Sequence, residues 1–113
     1  MKKIQTDALM IFNAGETENF SVVEIKLLNE TLQPSDLYDL KGQDFLSLVD
    51  PKKGVILNGK MPMWLACFLT HEFHAVAWLG MNDPRLGGIV IASHSPSQQV
   101  GNVVDWHSEL YIH

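Results

Sequence analysis

Apolar and polar residues alternate in short blocks along the first part of the chain. The apolar block at residues 8–12 predicts a strand, the polar segment 13–19 a turn, and the looser alternation of residues 20–28 a half-buried strand. We expect these two strands to form a hairpin. Residues 34–49 follow with a helical pattern of apolar positions, which Gly42 interrupts.

The central part of the chain predicts a strand, a helix and a second hairpin. A turn at residues 50–54 precedes a short buried strand at 55–57, and Pro62 stands where the first residue of a helix extending to 73 is expected. This helix is apolar on nearly every side in its first half, which predicts burial. A strand at 75–81, a turn at 83–85 and a strand at 88–92 come next, and segments 100–105 and 109–112 close the pattern.

This order of elements predicts one small α/β domain over residues 1–113, with a mixed sheet and a buried helix packed on it. The length suits one domain, and 46% hydrophobic with 19% charged residues is typical of a globular one. The single cysteine, Cys67, excludes an internal disulfide. Because the sequence has neither a signal-peptide pattern nor the roughly 20 apolar residues that span a bilayer, we expect a cytoplasmic protein without membrane partners.

The charge of the chain limits its partners. A formal net charge of −5 argues against a nonspecific grip on long nucleic acid such as DNA, which needs a basic stripe. A small phosphorylated ligand needs only a few local cations, and Lys60 and Arg85 are candidates. Arg85 is the only arginine in the sequence, and its planar guanidinium is always charged.

Asn58, Gly59 and Lys60 follow a predicted strand and precede a predicted helix. The first turn of a helix leaves backbone N–H groups unpaired, and the helix dipole favours an anion there. The spacing is not that of a nucleoside-triphosphate loop. These residues are a candidate phosphate cradle, although most loops of this kind bind nothing.

Three of the five histidines flank the second hairpin. His71 and His74 are three residues apart, unlike the histidines of the zinc-protease helix, and they can bind metal, act as acid and base, or only cap the helix. His94 lies between Ser93 and Ser95, whose hydroxyls suit a phosphodiester as well as an exposed strand end.

The predicted hairpin separates these groups. If Asn82 pairs with Gly87, the continued register places His74 and His94 together at the end far from the turn. Eight residues at roughly 3.3 Å each put them about 25 Å from Arg85. Either one group is structural, or a head-to-tail assembly completes the site with a second copy of the chain.

Five segments of the chain form a specific ordered set: Lys53-Gly54-Val55-Ile56, Gly59-Lys60-Met61-Pro62-Met63-Trp64-Leu65, Cys67-Phe68-Leu69-Thr70-His71, Asp83-Pro84-Arg85-Leu86-Gly87 and Ser93-His94-Ser95. Together they resemble the third family of CRISPR ring nucleases, small proteins of type III CRISPR systems. The likeness covers roughly residues 53–97, and the first fifty residues match only loosely.

The resemblance implies a compact domain related to the CRISPR-associated Rossmann fold. It also implies a homodimer whose shared face binds cyclic tetra-adenylate, and a cleavage that ends the antiviral signal and depends on manganese or another divalent metal. Dimers of that family stack through the ligand into tetramers, with catalytic groups contributed by different dimers.

The resemblance also implies roles for individual residues. His74 and Asp83 are catalytic candidates, Arg85 handles phosphate or takes part in catalysis, and His94 is a further site residue. His71 matches the family motif as well. Because manganese accepts imidazole and carboxylate ligands together, His74, Asp83 and His94 are candidate metal ligands.

Two positions depart from the family pattern. Lys60 stands where an arginine is common, and Glu72 where a lysine is common. Two other functions stay open at this point. One is a manganese-dependent 3′-exonuclease or deadenylase acting on short oligo-A RNA, and the other is a module that binds cyclic oligoadenylate without cutting it.

Overall fold

Seven strands form a single mixed sheet in the computed structural model, which describes residues 2–111. The strands lie side by side in the order of the sequence, with β3, β4 and β5 parallel and the other neighbours antiparallel. Their bounds are β1 Lys3–Gln5, β2 Leu9–Glu16, β3 Phe20–Leu27, β4 Gly54–Asn58, β5 Trp78–Asp83, β6 Gly87–Ser93 and β7 Val103–Val104.

Short helices connect and cover the strands. They are α1 Leu37–Leu40, α2 Met63–Glu72 and α3 Trp106–Tyr111, with 3-10 turns at Pro34–Asp36 and Phe45–Leu48. Both parallel connections are therefore crossovers, as parallel pairing requires. Among the described residues, no helix is long and apolar enough to cross a membrane.

The two faces of the sheet are covered differently. Both crossovers pack on the first face, where Leu40 of α1 and Leu65 and Leu69 of α2 join the larger hydrophobic core. On the second face a smaller cluster is covered by α3 through Trp106; its buried members are Phe20, Val22, Ile56, Trp78, Val90, Val104 and Trp106. The second face is consequently the more open one.

The structure confirms the α/β class, the mixed sheet, both hairpins and the interruption at Gly42, whose φ is +84°. The predicted turn at residues 13–19 is too long, because a bulge between Asn13 and Gly15 lets β2 continue to Glu16. Strand β1 was not predicted. Segment 100–105 contains β7, and segment 109–112 belongs to α3 as far as residue 111; Ile112 lies outside the described residues.

Helix α2 differs from its prediction in burial. It begins one residue after Pro62, whose backbone is still extended, and ends at Glu72. Only Leu65 and Leu69 of the helix are buried, whereas Met63 is 82% exposed and Cys67 is also exposed. The prediction of a helix buried all round is therefore wrong, because the sheet offers the helix only one contact surface.

Candidate functional site

The three parallel strands give the sheet two distinct ends. We call the edge at which β3, β4 and β5 begin the amino end, and the opposite edge the carboxyl end. Because α2 and β6 run opposite to these strands, the amino end carries one set of candidate residues: His71, His74, Ser93, His94 and Ser95. The carboxyl end carries the other set: Asn58, Gly59, Lys60, Asp83 and Arg85.

The hairpin register differs by one residue from the prediction. Asn82 pairs with Gly88 and Asp83 with Gly87, and a bulge between Leu79 and Gly80 shifts the pairing again. From Gly87 to Ser93 the strand takes six residue steps, about 20 Å at about 3.3 Å each. The candidate residues are thus separated nearly as far as predicted.

The histidines at the amino end come together, as the register argument predicted. The His94 Nε2–H donates to the backbone carbonyl of His74 at 3.1 Å, and the His74 Nδ1–H donates to the carbonyl of His71 at 2.8 Å. The rings of His71 and His74 stack with centroids 5.7 Å apart. When neutral, His94 keeps Nδ1 and His74 keeps Nε2 as a proton acceptor.

One cavity is lined by this histidine pair, and a second cavity lies at the same end of the sheet. The first, of about 270 Å³, is mostly apolar and is lined by Thr70, His74, Val76, Leu79, Ala92 and His94. The second, of about 330 Å³, is more polar, and its lining includes Lys52, Lys53, Ser95 and Ser97. Neither His74 nor His94 lines the polar cavity, which reaches Ser95, one residue beyond His94.

Lys52 and Lys53 were not predicted as binding residues. Lys53 Nζ donates to the carbonyl of Thr17 at 2.9 Å and lies 3.5 Å from a carboxylate oxygen of Glu16, whereas Lys52 is exposed. The sequence feature that could have indicated them is a pair of adjacent lysines in the turn that leads into a buried strand. Because Glu18 and Glu109 line the same cavity as these lysines, the cavity carries charges of both signs.

The serines on either side of His94 have different surroundings. Ser93 Oγ lies 2.9 Å from the carbonyl of Ser95 and 2.8 Å from that of Gln98, so its hydroxyl is engaged within its own loop. Ser95 Oγ forms a hydrogen bond with Ser97 Oγ at 2.8 Å, and Ser95 lines the polar cavity. Ser95 is therefore better placed than Ser93 to contact a ligand.

At the carboxyl end, Asp83 builds the turn that carries Arg85. Asp83 Oδ1 accepts the backbone N–H groups of Arg85 at 2.8 Å and Leu86 at 3.1 Å. Arg85 is exposed, and its guanidinium forms no ion pair with any residue in 2–111. Gly87 closes the turn at φ +110°, where a Cβ would lie 2.8 Å from the carbonyl of Val104. The turn thus presents a positive charge to solvent from a rigid base.

The loop after β4 is fixed by its glycine. Gly59 has φ +149°, and a Cβ there would lie 2.2 Å from the carbonyl oxygen of Ile25. Lys60 follows on the surface. Asn58, in contrast, is already engaged, since its Nδ2 donates to Glu24 Oε2 at 2.8 Å. Of this candidate cradle, Lys60 is the side chain left exposed to an anion.

A hydrogen-bonded relay crosses the carboxyl end. The Trp106 Nε1–H donates to Asn82 Oδ1 at 2.8 Å, and Asn82 Nδ2 donates to Asn58 Oδ1 at 2.9 Å. Asn58 then donates to Glu24, so the relay joins β3, β4, β5 and α3. The roles of Glu24, Asn82 and Trp106 were missed because only the register of the parallel strands aligns them.

The three candidate metal ligands do not meet within one copy of the chain. His74 and His94 lie at the amino end and Asp83 at the carboxyl end. Among residues 2–111, no three His, Cys, Asp or Glu side chains are close enough to hold one ion. This donor set therefore does not fit a manganese site in a single copy.

Comparison with known proteins places these residues in a family. A protein of Aquifex aeolicus (strain VF5), named only as an uncharacterized protein, is 36% identical over 90 residues, which are 79% of this chain and 80% of that one. The family model described as CRISPR-associated protein (Cas_csx3) matches residues 25–105, a span that contains the candidate residues of both ends. The chain therefore belongs to the CRISPR-associated Cas_csx3 family.

Proposed function

We propose that this protein is a phosphodiesterase that opens cyclic tetra-adenylate to linear oligoadenylate and so switches off type III CRISPR antiviral signalling. Membership of a CRISPR-associated family supports the biological setting. The observation that carries the chemistry is the pair of exposed histidines that backbone carbonyls hold at the amino end of the sheet.

The amino end carries groups that can transfer protons during phosphodiester cleavage. An attacking hydroxyl or water must lose a proton and the leaving oxygen must gain one, and positioned histidines perform both tasks in many enzymes. His74 and His94 each have one ring nitrogen bonded to a carbonyl, which orients the other nitrogen. In our proposal, Lys52 and Ser95, which line the polar cavity at the same end of the sheet, hold neighbouring phosphates.

The carboxyl end carries a group that can stabilise negative charge on the phosphate, the guanidinium of Arg85. Charge develops on the non-bridging phosphate oxygens during cleavage, and a guanidinium stabilises it with a bidentate fork. Arg85 has this chemistry but lies about 20 Å from the histidines of its own chain, by the strand rise. In our proposal the ring lies between two copies of the chain, stacked head to tail, with Arg85 and Asp83 of one copy facing the histidines of the other.

Manganese dependence stays a prediction from the family resemblance. Because the donor set does not meet in one copy, we assign no step of the reaction to a metal. Homodimers that stack into tetramers around the ligand remain part of the proposal through the family resemblance, whereas the two-copy site itself requires only that two copies meet head to tail.

The first experiment separates the three possible activities. The protein is incubated with cyclic tetra-adenylate and Mn²⁺, and in parallel with a linear RNA bearing an oligo-A tail, and the products are resolved by chromatography. Conversion of the ring to linear oligoadenylate is expected. An intact ring that binds measurably would indicate a sensor, and an intact ring with a shortened tail would indicate an exonuclease; either outcome would contradict the proposal.

The second experiment tests the two-copy site. His74→Ala and Asp83→Ala proteins, each inactive alone, are mixed in equal amounts. If each site joins the amino end of one copy to the carboxyl end of another, random assembly restores about one quarter of the sites. We therefore expect a substantial return of ring cleavage on mixing.

The matched control uses two defects at the same end. In a mixture of His74→Ala and His94→Ala proteins, every site lacks one histidine, so no recovery is expected. Recovery in this control, or none in the first mixture at concentrations where the wild-type protein assembles, would argue against the two-copy arrangement.

A further inference from the structure

The largest cavity described here lies on the open second face of the sheet, near the carboxyl end. It measures about 840 Å³, within the range of roughly 300–1,000 Å³ that is common for small-molecule sites. Strands β2 and β3 form one wall, the loop after β4 another, and α3 the third. The histidines His74 and His94 do not line it, so it is a different cavity from those at the amino end.

One row of the sheet places a carboxylate in this cavity. Phe12 pairs with Glu24, and Glu24 pairs with Asn58, so their side chains point to the same face in adjacent strands. Trp106 can only donate, which fixes the amide orientations of the relay and makes Glu24 Oε2 its last acceptor. Glu24 Oε1 accepts no hydrogen bond from any described residue, so it offers an acceptor to a bound molecule.

Two lysines lie on one side of this carboxylate. Lys26 is two residues further along β3, about 7 Å from Glu24 by the strand rise, and Lys60 follows Asn58 in the neighbouring loop. Neither lysine forms an ion pair within residues 2–111. Glu30 also lines the cavity and balances part of this charge. An anionic group about one sugar ring away from Glu24 would meet these two ammonium groups.

An apolar surface completes the cavity. Phe12 and Leu110 are half-buried and line it, next to the carboxylate row. A few placed polar groups beside an apolar wall are typical of a small-molecule site. The lining of the cavity therefore suits a molecule that carries hydrogen-bond donors, an apolar ring and an anionic group.

We infer that this cavity binds a ribonucleoside 5′-monophosphate. The 2′- and 3′-hydroxyls donate to Glu24 Oε1, as sugar hydroxyls do to an acidic residue at a strand end in dinucleotide sites. The 5′-phosphate lies between Lys26 and Lys60, and the base packs against Phe12 and Leu110. This site is separate from the proposed cleavage of the ring and does not depend on it.

Binding of AMP to the full chain tests the inference, by calorimetry and by NMR of the Trp106 indole N–H. Saturable binding below about 1 mM is expected. The indole signal is expected to move, because Trp106 is the first donor of the relay that ends at Glu24. Trp106→Phe assigns this signal among the three tryptophans.

Glu24→Gln is the decisive variant. The glutamine side chain keeps an oxygen for Asn58 but replaces the free acceptor with an amide donor, so we expect at least a tenfold weaker AMP affinity with an unchanged fold. Asp39→Asn, an exposed carboxylate in α1 on the other face, is the matched control and is expected to bind like the wild type. Lys26→Met is expected to reduce the difference in affinity between AMP and adenosine, because one of the two ammonium groups at the phosphate is lost.

Three results would overturn the inference. They are no AMP binding by the wild-type chain, equal binding by Glu24→Gln, or equal binding of AMP and 2′,3′-dideoxyadenosine 5′-monophosphate. Because the readout is AMP binding, it is independent of whether the protein cleaves cyclic tetra-adenylate. Failure of the ring-cleavage assay and failure of this site are thereby distinguishable.

Discussion

The amino and carboxyl ends of the sheet differ in how firmly their polar side chains are held. At the carboxyl end, Trp106, Asn82, Asn58 and Glu24 bond to one another through their side chains. At the amino end, the His74 and His94 rings bond only to backbone carbonyls and remain exposed. The carboxyl end is held together by hydrogen bonds between side chains, whereas the amino end presents proton-transfer groups to solvent.

This difference suits a site divided between two copies. A residue that stabilises charge must already be in place when charge develops, because reorganisation at that moment reduces its effect. Arg85 projects from a turn whose backbone N–H groups bond to Asp83, and Asp83 directly follows Asn82 of the relay. The histidines at the other end meet their substrate only when the ring and the second copy arrive.

The largest effect is expected when the carboxyl end loses its only guanidinium. Arg85→Ala should lower kcat/KM for cyclic tetra-adenylate by about 100- to 1,000-fold, as expected for loss of a charge-stabilising group. Arg85→Lys should lose about tenfold, because an ammonium lacks the bidentate fork. Since Arg85 is exposed, urea unfolding should show unchanged stability; a parallel loss of stability would mean that Arg85 is structural.

A smaller effect is expected when the relay is cut. Asn82→Ala removes the oxygen that accepts the Trp106 indole N–H and the amide that donates to the Asn58 carbonyl oxygen, which should cost about 2 kcal/mol in free energy of unfolding. Asn102→Ala is the matched control, because within residues 2–111 that exposed side chain bonds only to Gln98, and its loss should cost less than about 0.5 kcal/mol. If urea unfolding showed equal losses of stability for Asn82→Ala and Asn102→Ala, the relay would not hold the carboxyl end more firmly than an exposed surface hydrogen bond does.

Asp83 shapes the turn and is also a catalytic candidate. The substitution with the smallest expected effect on stability separates these two roles. Asp83→Asn keeps an oxygen for the N–H groups of Arg85 and Leu86, so the free energy of unfolding should change by less than about 0.5 kcal/mol. Asp83→Ala loses both bonds and should cost about 1 kcal/mol. We expect ring cleavage to fall in both variants; full activity in Asp83→Asn would show that the carboxylate only shapes the turn.

Local sequence patterns predicted much of this molecule. The Asp83–Arg85 turn, the bounds of α2 to within a residue, and the meeting of His74 with His94 all follow from periodicity and hairpin geometry. The register was one residue off next to the turn and two residues off beyond the bulge between Leu79 and Gly80, because neither the pairing of Asp83 with Gly87 nor the bulge has a clear signal in the chain. The predicted distance between the histidines and Arg85 is little changed by this error in register, since it depends on the length of the strands.

The relay could not be predicted in the same way. Glu24 and Asn58 are 34 residues apart, and Asn82 is 24 residues from both Asn58 and Trp106. Their contact depends on the register of three parallel strands, which crossovers set only loosely. Likewise, the uniform apolarity of α2 did not show which side would face the sheet, so the exposure of Cys67 was missed.

The sequential order of the strands has a consequence for how the protein folds. Each strand pairs with the one made just before it, so the sheet can grow strand by strand with few long loop closures, which favours rapid folding. Trp106 is an exception, since it follows β7 and reaches back to Asn82 in the middle of the sheet. In a nascent chain the histidine end can be assembled before this tryptophan emerges, whereas the carboxyl end acquires its final form only when synthesis has passed residue 106.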